Sequence, residues 1–418
     1  MRIFICELRK LWNWRVLLVI AAFGVITWFA FFTDILNDYE SLKTHGMYSA
    51  YQTEMFKKYG ETLEPEEWED FDIKQQYAVV YAAGDDIIAE EPIFAKYGVE
   101  SFSGFLEWYE SGNYWVEVDG FIVLSGGELT PENQDRMDML DALNCVSDGY
   151  TLDEWYNSPM VLLQSLRALE DRYTNQQLYL DIYTMNDTRP AVVRAAERLK
   201  ASDNNSLLNG YLLGSFSLHA AVTGVFALIS VMVLIIPMLI IDRSRNIHLL
   251  QYSSAVGRKL FRTQFFTTLI STIALSGLLT VLLFAPFIAR SAEYWNAGVM
   301  SLGGDGMWMY DISYGQYVLI LGGMIVAACT GAACLAFILA RFSANIVTVM
   351  IKSVPVAAAL ATVLVLSTYR AFSNNNIVFN QVFAGESDMP EVIVCGLLCL
   401  SGLFAAAVVM QREKRVDV

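Results

Sequence analysis

The chain has 418 residues, 55% of them hydrophobic and only 17% charged, with a formal net charge of −16. The apolar residues are gathered into runs of about twenty, which excludes most soluble enzymes. The acidity excludes nucleic acid as a natural partner, because a polyanion is bound by cations.

A bilayer core of ~30 Å needs roughly 20 apolar residues per crossing helix. Six runs meet this: 16–35, 217–241, 264–289, 316–340, 346–367 and 391–410. They are continuous rather than alternating, so the expected fold is an α-helical polytopic membrane protein and not a barrel. Ahead of the first run, residues 1–15 (MRIFICELRKLWNWR) are basic and aromatic. They read as an amphipathic helix lying at the inner membrane surface. The first run is too long for a signal peptide and no small-residue cleavage pattern follows, so it reads as an uncleaved anchor.

Residues 36–215 are the long polar insertion, and a mainly α extracellular domain is expected there. They carry 33 acidic and 12 basic residues. Prolines open three helices, at Pro65 (TLEPEEWEDF), Pro131 (LTPENQDRMDML) and Pro159 (NSPMVLLQSLRALEDRY), with Thr130 and Ser158 as N-caps before the last two. A further helix is expected over 190–201. YWVEV-DG-FIVLS reads as a two-stranded hairpin turning at Asp119-Gly120. Trp68, Trp108, Trp115 and Trp155 are candidates for its aromatic core. Cys145 is the insertion's one cysteine, so an internal disulfide is excluded. LSGGE at 124–128 is similar to the signature of ABC ATPases. The chain has no GxxxxGK[ST] loop to cradle phosphates, so the likeness is read as coincidence.

The remaining residues orient the spans. Outside the insertion, 16 basic residues face 11 acidic ones. The basic residues cluster before the first span, between the second and third (Arg243, Arg245, Arg258, Lys259, Arg262), at Arg341 and at the C-terminus (Arg412, Lys414, Arg415). With six spans these places share one side, which the positive-inside bias makes the cytoplasm. Both termini are then cytoplasmic, with 411–418 as a tail. Residues 36–215 and the loops 290–315 and 368–390 lie outside. The fourth and sixth spans are rich in small residues, which lets helices approach closely in lipid. Lys352 lies six residues into the fifth span, about 9 Å from its inner end. At that depth an ammonium snorkels to the headgroups, and a substrate contact is the sharper alternative. His45, His219 and His248 do not pair with cysteines at ligand spacing, and no catalytic set is visible, so neither a metal site nor an enzyme is expected.

The loop 242–263 carries the clearest functional signal. It combines an apolar face (Ile247, Leu249, Leu250, Tyr252) with cations and a Ser-Ser-x-x-Gly-Arg turn. A short helix of this kind seats its apolar face in a groove of a cytoplasmic partner; the plainer reading is a positive loop that serves only topology. The stretch Asp242…Leu249-Leu250-x-x-Ser253-Ser254-x-x-Gly257-Arg258-Lys259 resembles the segment between spans two and three of type-2 ABC-transporter permeases, and Asn246 joins these as a candidate coupling-loop residue. The six-span layout with a basic N-terminal helix is similar to theirs as well, and matches best the subgroup with a large extracellular domain after the first span. The chain carries Asp242 where that family has Glu, and lacks its Gly-Thr pair. The resemblance implies a permease subunit of an ATP-driven exporter in a bacterial plasma membrane, moving a peptide-, lipid- or drug-like substrate outward. It implies a second permease subunit, identical or related, and separate ATPase subunits docked on residues 246–256. ATP and Mg would be bound by those partners, and no cofactor by this chain. The rival expectation is a ligand-sensing or mechanotransmission protein whose outer domain signals inward without transport.

Overall fold

The computed structural model describes residues 2–45, 49–111, 115–118, 121–124, 131–146, 151–187, 189–202, 206–208, 210–244, 257–303, 306–343, 345–376, 379 and 388–415. The chain divides into two compact units. One joins Met1–Tyr39 to Leu180–Val418; the other is Glu40–Tyr179. The chain is mostly helical, and six helices are long and apolar enough to cross a membrane.

The first unit begins with α1 (Arg2–Leu11), a break at Trp12-Asn13, and α2 (Trp14–Thr27). The Asn13 side chain caps α2 by accepting from the Arg15 N–H. A π-turn, Trp28–Phe32, widens the helix before α3 (Thr33–His45). The later spans are α14 (Gly210–Ser244), α15 (Gly257–Ser291), α16 (Tyr314–Arg341), α17 (Ile346–Thr368) and α18 (Pro390–Arg415). In α14 most apolar side chains are buried, as a helix central to a bundle requires, with Leu218 exposed. Helices α2, α15, α16 and α17 pack on it, and α18 packs on α16.

The α16–α18 crossing explains the small residues of the fourth and sixth spans: they pack on each other. A Cβ at Gly331 would stand 2.5 Å from the Leu398 carbonyl oxygen, and one at Gly402 would stand 2.9 Å from that of Gly331. The two backbones touch, which only glycine permits.

At the end of the bundle where α15 stops and α16 starts, the loops close into a cap. Strands β3 (Ser301–Gly303) and β4 (Gly306–Trp308) pair antiparallel, and Gly306 adopts the positive φ of 112° that their turn needs. The segment after α17 adds to β4: Asn374 N–H donates to the Met307 carbonyl, and Met309 N–H to that of Phe372. Helices α12 (Gln176–Asn186) and α13 (Pro190–Ser202) precede the spans. From α13 and the turn before it, Arg189 donates to the Asn374 carbonyl and Arg198 to that of Met309. Burial beside the Arg189 guanidinium still leaves the Asp187 carboxyl below its ordinary range, because that guanidinium donates to it.

The second unit is helical with one small sheet. It holds α4 (Ser49–Tyr59), α5 (Pro65–Phe71), α6 (Ile73–Glu90), α7 (Pro92–Lys96), α8 (Phe102–Ser111), α9 (Pro131–Leu143), α10 (Leu152–Tyr156) and α11 (Pro159–Thr174). Strands β1 (Trp115–Val118) and β2 (Phe121–Leu124) pair antiparallel with Val118 opposite Phe121, the register of a two-residue turn. The turn itself, Thr130, and residues 125–128 of LSGGE lie outside the described residues. Prolines sit in the first turns of α5 and α11, as their sequence predicts. Ser158 takes the N-cap backbone conformation of α11, but its buried hydroxyl makes no cap bond. Among the described side chains the core is built from Phe94, Phe102, Phe105, Leu106, Met139 and Leu163, with Trp108 packed at its edge; the Trp115 side chain lies outside the described residues. Asp85 accepts from the Phe102 N–H at 2.6 Å, and Gly84 leaves room for the Phe102 ring, which locks α8 across α6.

Replacing Gly331 with leucine forces α16 and α18 apart, an overpacking that costs about 1–3 kcal/mol. The melting temperature in detergent should fall. Gly323→Leu is the control, since nothing stands within 4 Å of its Cβ. Equal melting of the two variants would contradict the contact.

Candidate functional site

The loop singled out by sequence is carried by the two longest helices. α14 and α15 are 35 residues each, or about 52 Å at 1.5 Å per residue, against a bilayer core of ~30 Å. Both therefore extend beyond the hydrocarbon, and at the loop end their last turns hold Arg243 on one side and Arg258, Lys259 and Arg262 on the other. Asp242 lies in the last turn of α14, and Gly257 and Arg258 open α15. Asn246, Ile247, Leu249, Leu250, Tyr252, Ser253 and Ser254 lie outside the described residues.

Beside this loop, α1 docks on α15. Its inward stripe is Phe4, Glu7, Leu8 and Leu11, with Glu7 and Leu11 buried and Phe4 and Leu8 half-buried, spaced i, i+3, i+4, i+7 as an amphipathic helix demands. Glu7 is the exception in that stripe, only 3% exposed. Gln264 of α15 donates to its Oε2 at 3.2 Å and Lys10 to its Oε1 at 2.8 Å. One helical turn on, Trp12 Nε1 donates to Ser271 Oγ at 3.0 Å. Two long-range polar contacts thus fix α1 to the helix that leaves the loop. Sequence reasoning missed Glu7; the available signal was an acid in line with Phe4, Leu8 and Leu11.

Gln264 and Ser271 belong to a polar stripe buried along α15: Thr267, Thr268, Thr272, Ser276 and Thr280 continue it at helical spacing. Most of these hydroxyls turn back on their own helix. Thr267 donates to the Thr263 carbonyl, Thr272 to that of Thr268, and Ser276 to that of Thr272. Such back-bonding satisfies the hydroxyl and lets the helix bend.

Farther along, His219 ties three spans together. It is fully buried in α14, with Phe32 of the π-turn 4.7 Å from its ring and Phe287 of α15 at 5.3 Å. Its Nε2 is 2.8 Å from the Leu283 carbonyl. A carbonyl only accepts, so Nε2 carries the proton and Nδ1 is left as an acceptor. Nδ1 has no partner among the described residues. Pro286 lacks the N–H that would serve the Leu282 carbonyl, so the α15 ladder is interrupted beside the carbonyl that His219 meets. The imidazole is a clamp at a proline-weakened turn. Among the described residues no group of three His, Cys, Asp or Glu side chains converges.

Lys352 donates to the Phe342 carbonyl at 3.0 Å, at the C-terminal end of α16. The ammonium caps the negative end of the neighbouring helix. Arg341 lies over the Phe261 ring at 4.9 Å, joining the ends of α16 and α15.

No family model, curated protein or solved structure matches this chain.

Glu7→Leu leaves the Gln264 amide buried with a lost acceptor, a cost of about 1–3 kcal/mol. Trypsin should then cut at Arg15 faster than in wild type, and melting should come earlier. Glu7→Gln keeps an acceptor oxygen and should lie between the two. Wild-type proteolysis of Glu7→Leu would show that the contact does not hold α1 in place.

Proposed function

We propose that the chain is the membrane-spanning subunit of an ATP-driven exporter, a permease of the type-2 ABC class, and that its loop 242–263 docks on a separate ATPase. The observation that carries this reading is the placement of the Asp242…Arg258 motif between the ends of two 35-residue helices. A partner that moves the loop moves the ends of both helices, and through them the far end of the bundle. The docked α1, the Arg341–Phe261 contact and the Lys352 cap all gather at the loop end, where a push from the cytoplasm would be received.

In this reading the cytoplasm lies on the side of the basic loop ends and of both termini, in a bacterial plasma membrane. The unit Glu40–Tyr179 is extracellular. The apolar pair Leu249-Leu250 enters a groove on the ATPase, and Asp242, Asn246, Ser253, Ser254 and Arg258 fix its register. ATP and Mg belong to that partner. The cargo is a peptide-, lipid- or drug-like molecule, and a second permease chain completes the conduit. The independent hydrophobic core of Glu40–Tyr179 favours one rival, a sensor whose outer unit binds a ligand and signals inward without transport. Both readings need a cytoplasmic partner; only the first needs that partner to hydrolyse ATP and cargo to leave the cell.

Gentle-detergent purification from the native host should bring down an ATPase subunit. Leu249→Asp with Leu250→Asp should release it at least tenfold while the chain stays in the membrane. A partner without ATPase activity would favour the sensor, and unchanged capture would place the contact elsewhere.

Topology has a separate test. A membrane-impermeant maleimide on intact cells should label Cys145, which is half-buried, and spare Cys6, which is exposed. Burial and, after it, the Glu154 charge raise the Cys145 thiol above its ordinary value. Its reactive thiolate is therefore scarce at neutral pH, and labelling should quicken steeply as pH rises. Labelling of Cys6 instead would reverse the orientation.

A further inference from the structure

Between the first span and α14 lies a cavity of about 270 Å³, near the low end of ligand-sized pockets (roughly 300–1,000 Å³). The first span contributes Ile26, Ala30 and Phe31; α14 contributes Val222 and Val225; Val365 of α17 closes one side. The cavity is bounded by two contacts between the same helices. On one side a Cβ at Gly24 would stand 3.1 Å from Phe226 Cζ, so α2 and α14 touch there. On the other, Phe32 meets the His219 ring at 4.7 Å. Residues 24 and 32 are about 12 Å apart along the helix. The π-turn Trp28–Phe32 falls in this interval, and two of its residues, Ala30 and Phe31, line the space.

The lining excludes a polar ligand. Thr27 is its one residue with a side-chain hydroxyl, and that hydroxyl donates to the Phe23 carbonyl at 2.9 Å. The wide turn's own carbonyl at Trp28 is served by the Thr33 N–H and hydroxyl. No group in the groove asks for water or for a ligand's hydrogen bond. The rim faces outward: Ile26 is 64% and Phe31 54% exposed on helices that cross the membrane. The medium against that rim is the hydrocarbon of the bilayer, and what it offers is a flexible methylene chain.

We propose that this groove is a binding site for the acyl chain of a bilayer lipid, shaped by the π-turn of the first span. The chain lies lengthwise between the Gly24–Phe226 and Phe32–His219 contacts. It fills a space that packing of the protein's own side chains leaves empty, and so completes the wall between the first span and α14. The site does not depend on transport, and would serve a permease or a sensor alike.

The test uses the full-length protein in nanodiscs of phosphatidylcholine with a mid-chain diazirine, followed by photolysis and peptide mapping. Peptides holding Ala30 and Val222 should carry at least fivefold more label than the peptide holding Leu400 and Phe404, which are lipid-exposed on α18. Ala30→Trp fills the groove and should bring the first-span and α14 label down to the α18 level. Ala30→Leu fills it partly and serves if the tryptophan variant does not fold. Equal labelling of all exposed positions would mean ordinary surrounding lipid and would overturn the site. Unchanged label in a folded Ala30 variant would do the same. Chain-to-chain cross-linking through Val222→Cys would put a second copy in the groove and also overturn it.

Discussion

The extensive burial of α14 is the constraint on which the rest of this structure depends. In lipid a helix gains nothing by hiding apolar surface from its surroundings, so association rests on close packing and on hydrogen bonds between spans. α14 supplies both. Leu213, Phe216, Ala220, Ala227, Val231 and Ile235 are fully or nearly fully covered by its neighbours. Gly224 leaves room for Leu364 of α17, where a Cβ would stand 2.9 Å from its Cδ2. His219 adds the directional bond to α15. With α14 fixed, α16 is placed against it, and the Gly331–Gly402 backbone contact then places α18 on α16.

The polar groups within this bundle follow one economy. The Thr267, Thr272 and Ser276 hydroxyls on α15 bond to their own helix, the indole of Trp12 bonds to α15, the amide of Gln264 bonds to α1, and Lys352 caps α16. An unsatisfied polar group in hydrocarbon costs several kcal/mol, so each of these bonds is also a positional restraint. The restraints concentrate where α1, the start of α15 and the ends of α16 and α17 meet. The groove beside the π-turn is the opposite case: an interval of pure hydrocarbon with no bond to fix its contents.

Much of the fold was legible in the sequence because bilayer thickness imposes a length. Six apolar runs announced six helices, and Asp119-Gly120 between β-prone stretches announced the hairpin. The ends were less legible. α15 begins at Gly257, seven residues before its apolar run, because Arg258, Lys259 and Arg262 continue a helix that hydropathy alone would stop. The compact second unit is Glu40–Tyr179, narrower than the polar stretch 36–215. Leu180, Val192, Ala195 and Leu199 are buried in the unit that also holds the spans, which polarity does not reveal. Glu7 and His219 escaped sequence reasoning because their meaning lies in partners 257 and 64 residues away. The loop motif was readable as residue types, and its middle, from Asn246 to Ser254, lies outside the described residues.

The proposed docking requires α14 and α15 to carry motion from the loop to the capped end of the bundle when a nucleotide-binding partner moves the loop. Pulsed electron-spin distance measurement on the membrane-embedded complex tests this most directly. One label pair would sit near Ser244 and Arg341 at the loop end, and another near Gly210 and Ser313 at the capped end. Trapping the partner with ATP should shift both distance distributions together, and omitting nucleotide should restore both. Distances unchanged by ATP at either end, or a change confined to the loop end, would contradict the account.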